Sequence, residues 1–328
     1  MHATALHAEK STTVRTTTRQ RAVRAGVGAL GVVAPGLAGR AAARIFLTPP
    51  RTPAPARERE ALAGADRFAL RVGSATVRGF RLGEGPAVLL VHGWGGRGGQ
   101  LVPFAAPLVA AGCAVVGFDA PAHGESSGRV ASVPEFADVV AAVAGAQGAR
   151  AAIAHSMGGA AVALALRRGL ALDGAVLVSP PRSPAGFFDR FCAALRLDDG
   201  ARDAARRRIE RRVGAPMAEL DVAAAAPSLA TPALVVHDRG DRDVPFDEGA
   251  AIADAWRGAR LVATSGLGHR RVLRDREVVA EAVAFVVARL QRCACGRLAR
   301  VAPSFEVPQC AGCLLEHHLR ERDARAAG

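Results

Sequence analysis

Ala154-His155-Ser156-Met157-Gly158-Gly159 is the stretch on which the reading of this chain turns. It closes a continuous apolar run over residues 151–155 and opens a helical pattern over residues 158–168. A serine held on so sharp a strand-to-helix turn has its hydroxyl pushed out at the carboxyl edge of a sheet, and its neighbours must be small because the backbone there is tightly bent. Ala154, Gly158 and Gly159 meet that demand. The same residues would also suit a plain serine at a helix N-cap, so the decision rests on what surrounds them.

Outward from that turn, short apolar runs alternate with longer helical patterns. Strands are predicted over residues 87–91, 114–118, 151–155, 175–179, 233–237 and 260–264, and helices over 100–111, 134–145, 158–168, 247–256 and 275–289. Such alternation argues for right-handed crossovers and a mostly parallel central sheet flanked by helices. Each strand is a continuous apolar run, as expected where helices cover both faces. Ahead of these, residues 67–72 and 75–82 are joined by Gly73-Ser74 and read as an antiparallel hairpin. Residues 183–230 hold two further helical stretches, 186–197 and 201–213, and are read as a helical lid inserted between strands. Phe187, Phe188 and Phe191 make its first helix the most aromatic place in a chain with only 4% aromatic residues. They read either as lid packing or as the wall of a substrate pocket.

In combination the motifs resemble the α/β-hydrolase superfamily, specifically its serine esterases and lipases, over roughly residues 67–290. The turn at Ser156 is similar to that family's nucleophile elbow, with Ala154 where glycine is usual. His237-Asp238-Arg239-Gly240-Asp241-Arg242-Asp243-Val244-Pro245 is similar to its late acid loop. The register of that loop picks Asp241, with Asp238 and Asp243 as neighbouring rivals. Gly266-Leu267-Gly268-His269 is similar to the loop that carries the base, so the resemblance implies the order Ser156, Asp241, His269 for the catalytic residues. Val91-His92-Gly93-Trp94-Gly95-Gly96 resembles the His-Gly oxyanion loop, which implies the backbone N–H groups of Trp94 and Met157 as the oxyanion hole. Residues 119–126, Asp119-Ala120-Pro121-Ala122-His123-Gly124-Glu125-Ser126, match another recurrent segment, to which a structural role is assigned.

The net charge of +13 raises the question of nucleic acid, but Lys10 is the only lysine, the arginines are scattered apart from residues 206–212, and no tyrosine is present. Basic residues are not interleaved with aromatics as in base-stacking grooves, and no nucleic-acid partner is expected. Half the residues are apolar, yet no uninterrupted run approaches the length of a membrane span. The Gly-rich stretch 25–39 lacks the layout of a secretory signal, which predicts a cytoplasmic chain.

Three parts are thus expected. Residues 1–60 form a basic arm with short helices and a Pro-rich linker, residues 61–291 the hydrolase domain, and residues 292–328 a Cys-rich tail. In that tail Cys293 and Cys295 face Cys310 and Cys313 across a spacing similar to a small zinc ribbon, with His317 and His318 as substitute ligands. A segment this short needs a staple to fold, so the tail is a candidate site for structural zinc, whereas catalysis needs no cofactor. The expected activity is hydrolysis of a carboxylic ester or related acyl bond on a small-molecule substrate. Transfer of the acyl group to another acceptor, or a non-catalytic binding module with a zinc-binding tail, are the alternatives.

Overall fold

The computed structural model describes residues 34–290 together with Gly26. Its strands are β1 (Asp66–Val72), β2 (Ala75–Leu82), β3 (Ala87–Val91), β4 (Ala114–Asp119), β5 (Ala149–His155), β6 (Gly174–Val178), β7 (Ala233–Asp238) and β8 (Arg260–Thr264). They form one sheet in the order β1-β2-β4-β3-β5-β6-β7-β8. β1 and β2 pair antiparallel, as do β2 and β4, and every later pairing is parallel. The expected mostly parallel sheet with an antiparallel hairpin at one edge is therefore present.

The apolar runs explain the layering. Alternate residues of one strand point to opposite faces; in β3, Leu89 and Val91 join the core on one face while Val88 and Leu90 join the core on the other. Helices α4 (Val133–Gln147), α5 (Met157–Arg167) and α9 (Phe246–Ala255) cover the first face, and α3 (Ala105–Ala110) and α11 (Arg276–Leu290) the second. Ser132 caps α4 by accepting a hydrogen bond from the Glu135 N–H, and Gly148 ends it in the left-handed conformation.

Two expectations need correction. The single helix predicted over residues 100–111 is a 3₁₀ segment, Gly98–Phe104, followed by α3, because Pro103 withholds a donor in the middle. β8 is not covered on both faces: it is an edge strand, with Arg260, Leu261 and Ala263 exposed.

The inserted lid consists of α6 (Pro184–Leu195) and α7 (Asp199–Val213), capped by Ser183 and Asp198. Against it packs α1 (Pro35–Phe46), which buries Ala38, Gly39, Ala42 and Ala43. A Cβ at Gly39 would stand 2.6 Å from Ala204 Cβ and 2.8 Å from the Ala201 carbonyl oxygen, so the two helices meet nearly backbone to backbone.

The proline-rich stretch that follows is fastened at two points. Arg51 donates to the carbonyls of Ala122, Gly124, Ser126 and Gly128, at 2.8–3.1 Å. Glu58, on the short helix α2 (Ala56–Ala61), pairs with Arg97 through two hydrogen bonds. The arm before residue 34, apart from Gly26, and the cysteine tail lie outside the described residues.

Candidate active site

β3 lies between β4 and β5, so the chain leaves β3 in one direction and returns on its other side. The carboxyl ends of β3 and β5 thereby flank the point where strand order reverses, where open α/β sheets place their ligands. The loop that begins at His92 and the turn at Ser156 meet there. A Cβ on Gly93 would fall 2.8 Å from Ser156 Cβ, so the loop needs glycine to approach.

Ser156 itself has φ 53° and ψ −127°, a conformation that L residues rarely adopt and that stores about 1–3 kcal/mol. Its N–H donates to the Val178 carbonyl at 2.9 Å, which ties the turn to β6. On its far side α5 starts so close to β3 that a Cβ on Gly158 would lie 2.5 Å from the His92 carbonyl oxygen. The demand for small neighbours thus has a definite cause.

The acid loop follows β7. Asp241 has a fully buried side chain, and its Oδ2 accepts from His269 Nδ1 at 2.7 Å. Its Oδ1 accepts the N–H groups of Asp243 and Val244, both at 2.9 Å. His237, at the end of β7, turns Nε2 toward the Val244 carbonyl at 3.0 Å and lies 3.5 Å from Asp241 Oδ2. Burial by itself would raise the Asp241 carboxyl, but hydrogen bonds from His237, His269 and the Val244 N–H outweigh it and hold it below the ordinary carboxylate range.

The two rivals are accounted for otherwise. Asp238 accepts from Gly240 N–H, Leu267 N–H and Thr264 Oγ1, so it laces the loop after β7 to the loop after β8. Asp243 is exposed and has no bond to His269.

His269 stands on the short turn Gly268–Arg271 after β8. Its backbone carbonyl accepts His155 Nε2–H at 2.9 Å, and the two imidazole rings lie 4.7 Å apart. His155 is pushed down to about 3 by burial and then by the neighbouring His269, so it is a neutral prop beneath His269. His155 and His237 lie within the sequence motifs without a role legible there, because a histidine facing another loop's backbone leaves no signal in spacing.

His92 is likewise neutral, lowered to about 4 chiefly by burial, and its Nε2 accepts the Ala120 N–H at 3.0 Å. With His123, Phe136 and Phe118 it forms a ring cluster under the loop, and Trp94 packs edge-on to His123 at 5.5 Å. Asp119 accepts from the Gly98 and Glu125 N–H groups, which gives the 119–126 segment a structural role.

Two cavities meet at Ser156. One is almost wholly apolar, about 830 Å³ with its open mouth included, and is walled by Phe46, Leu47, Phe187, Ile209, Val213 and Met217 beside Met157 and Trp94. The other is the more polar of the two, half polar and half apolar, and holds His269, Arg97, Arg242, Arg270 and Arg274 around the same serine.

Of the three lid phenylalanines, Phe187 lines both cavities. Phe188 and Phe191 depart from the pocket reading: their rings pack 5.5 and 5.2 Å from Phe46, and Phe188 is fully buried between the lid and α1. Phe46 and Leu47 take their place in the wall, supplied by a helix whose sequence gave no hint of a site. Among the described residues no group of three or more His, Cys, Asp or Glu is arranged to hold a metal. Cys293, Cys295, Cys310 and Cys313 lie outside them.

A family model described as "Alpha/beta hydrolase family" matches residues 88–282. The chain belongs to that family. Among solved structures, this hydrolase is similar to an esterase of Pyrococcus furiosus, at 19% identity over 74% of this chain and 100% of that one, with a TM-score of 0.58. An esterase of Rhodococcus sp. matches at 19% identity over 69% and 99%, TM-score 0.53. One from Thermogutta terrifontis matches at 20% identity over 69% and 99%, TM-score 0.53. No curated protein matches the chain in sequence. No helix among the described residues is long and apolar enough to cross a membrane.

Proposed function

We propose that this hydrolase cleaves a carboxylic ester or related acyl bond through an acyl-enzyme on Ser156. The observation that carries the reading is the 2.7 Å contact between a fully buried, ionised Asp241 and His269 Nδ1, in a loop that shares a cavity with Ser156. Such a partner fixes Nδ1–H and leaves Nε2 free to accept a proton.

Ser156 Oγ would attack the acyl carbon while His269 Nε2 takes its proton, and Asp241 would stabilise the imidazolium. The carbonyl oxygen gains the negative charge and accepts from the N–H groups of Trp94 and Met157. Met157 is the first residue of α5, so its N–H has no intrahelical acceptor. Collapse expels the alcohol, which leaves with the proton from His269. Water then attacks the acyl-enzyme, gives its proton to His269, and the acid departs as that proton returns to Ser156 Oγ.

Division of the site supports the same chemistry. The apolar cavity suits an acyl chain, and the polar one admits water and an alcohol. A fluorophosphonate probe and short-chain p-nitrophenyl esters test the reading beside Ser156→Ala. Covalent labelling and ester release are expected in the parent and absent in the variant; a parent without Ser156-dependent labelling and release would overturn it.

A further inference from the structure

Outside the active site, the strongest charge anomaly is a cleft between α1 and α7. Its lining contains Arg40, Arg44, Arg208, Arg211 and Arg212 and no acidic residue. Arg212 pairs with Glu135 at 2.8 Å. Arg40, Arg44, Arg208 and Arg211 have no ion pair among the described residues. The nearest acid on α7, Glu210, is turned away and accepts the Met217 N–H.

α1 explains how the patch is presented. Its small residues, Ala38, Gly39, Ala42 and Ala43, are spent on the close approach to α7, so its outward face is left with Leu37, Arg40, Arg44 and Ile45. Leu37 is 56% exposed and Ile45 39% exposed. Together with Phe187 at 42%, they make three of the four exposed large apolar residues among those described. Phe187 lies beside Phe46, at 6.2 Å between rings, so apolar points run from α1 to the mouth of the apolar cavity.

Leucine and isoleucine set among unpaired arginines match a bilayer surface with anionic headgroups, where apolar side chains enter the acyl boundary and arginines meet phosphate. A nucleic-acid groove would instead interleave the arginines with stacking aromatics, and α1 and α7 present none on this face. We infer that the outer face of α1 and α7 docks the protein on an anionic membrane surface. This docking does not depend on the chemistry at Ser156.

The test is sedimentation of the full chain with phosphatidylcholine vesicles, alone or mixed with phosphatidylglycerol. Binding is expected only to the anionic vesicles, and to fall steeply at roughly 1 M salt, where screening shortens to about 3 Å. Replacing Arg40, Arg44, Arg208 and Arg211 by glutamine should weaken partition by about fivefold for each arginine removed. The corresponding lysine variant should retain it. Leu37→Ser with Ile45→Ser should weaken binding without altering its salt dependence.

All substituted residues are exposed, and circular dichroism checks that the fold is kept. The inference is overturned if the parent ignores phosphatidylglycerol, or if the glutamine variant binds as the parent does, which would assign binding to basic segments elsewhere. Tighter binding to duplex DNA than to vesicles, lost in the glutamine variant, would overturn it equally.

Discussion

Asp241→Asn is the substitution that most directly tests the proposed chemistry. The asparagine amide has the size of the carboxylate, and its oxygen can still accept the Asp243 and Val244 N–H groups that now bind Oδ1 at 2.9 Å. With that oxygen so engaged, the NH₂ group points at His269 Nδ1, where Oδ2 now accepts at 2.7 Å. A donor there forces Nδ1 to become the acceptor and moves the ring proton to Nε2, which can then no longer take the proton of Ser156. In the chymotrypsin-type triad the equivalent change costs about 10⁴ in kcat, which corresponds to about 5 kcal/mol at 1.36 kcal/mol per tenfold. The same order is expected here. Asp243→Asn touches an exposed side chain with no bond to His269 and should change kcat by less than about twofold. The assay is kcat and kcat/KM on p-nitrophenyl butyrate for both variants and the parent. If the Asp241 variant kept a tenth or more of the parent kcat, or if the Asp243 variant fell instead, the assignment of the acid would be refuted.

Because the folded state holds the Asp241 carboxyl below its ordinary value, the stabilisation from its ionised form is complete above about pH 4. It is lost as pH falls toward the folded value, so urea unfolding should show parent and Asp241→Asn converging in acid. The buried histidines are shifted down as well, which for a base favours the neutral form. His92 near 4 and His123 and His155 near 3 stay neutral in the fold, while the unfolded chain protonates them at about 6.5. At pH 5 unfolding should therefore take up about three protons from this set. His123→Phe, within a ring cluster, should remove about one of them; an unchanged slope would count against a neutral buried His123. Ser156→Gly should be more stable than Ser156→Ala by about 1 kcal/mol, since glycine accepts φ 53° without strain, and neither should turn over ester; equal melting temperatures would deny the strain. Leu47→Ala opens the apolar cavity and should raise kcat/KM for longer acyl esters by about fourfold per methylene that finds room. Leu47→Val provides a milder step if the first variant folds poorly, and an unchanged chain-length profile in both would remove Leu47 from the acyl site. We further propose structural zinc on Cys293, Cys295, Cys310 and Cys313. Protein purified without added zinc should then carry about one equivalent, and less than about a tenth would dismiss it.

The sheet was legible because strands such as β3 and β7 are apolar on both faces, a pattern that survives without knowledge of their partners. The turn after β5 was legible because close approach demands small residues there, as at Gly158, whereas the loops after β7 and β8 were legible through their resemblance to family motifs. What stayed hidden is carried by contacts between distant segments. Nothing in the spacing of Pro35–Phe46 says that Phe46 reaches the lid phenylalanines and displaces Phe188 and Phe191 from the wall. Nor does the sequence say that His155 bears on the backbone of His269, 114 positions later. The rivalry between Asp241 and Asp243 was likewise a matter of direction: both lie on one loop, and only the fold decides which carboxylate turns inward.

The wall that Phe46 and Leu47 build has a consequence for how related enzymes are compared. Both residues precede the span from 88 to 282 that the family model recognises. Two members of the family could agree at every position of that span and still differ in the shape of this cavity, because a helix and its C-cap outside it close one end. Comparing this cavity across relatives therefore requires reading the forty or so residues ahead of the span as well as the span itself.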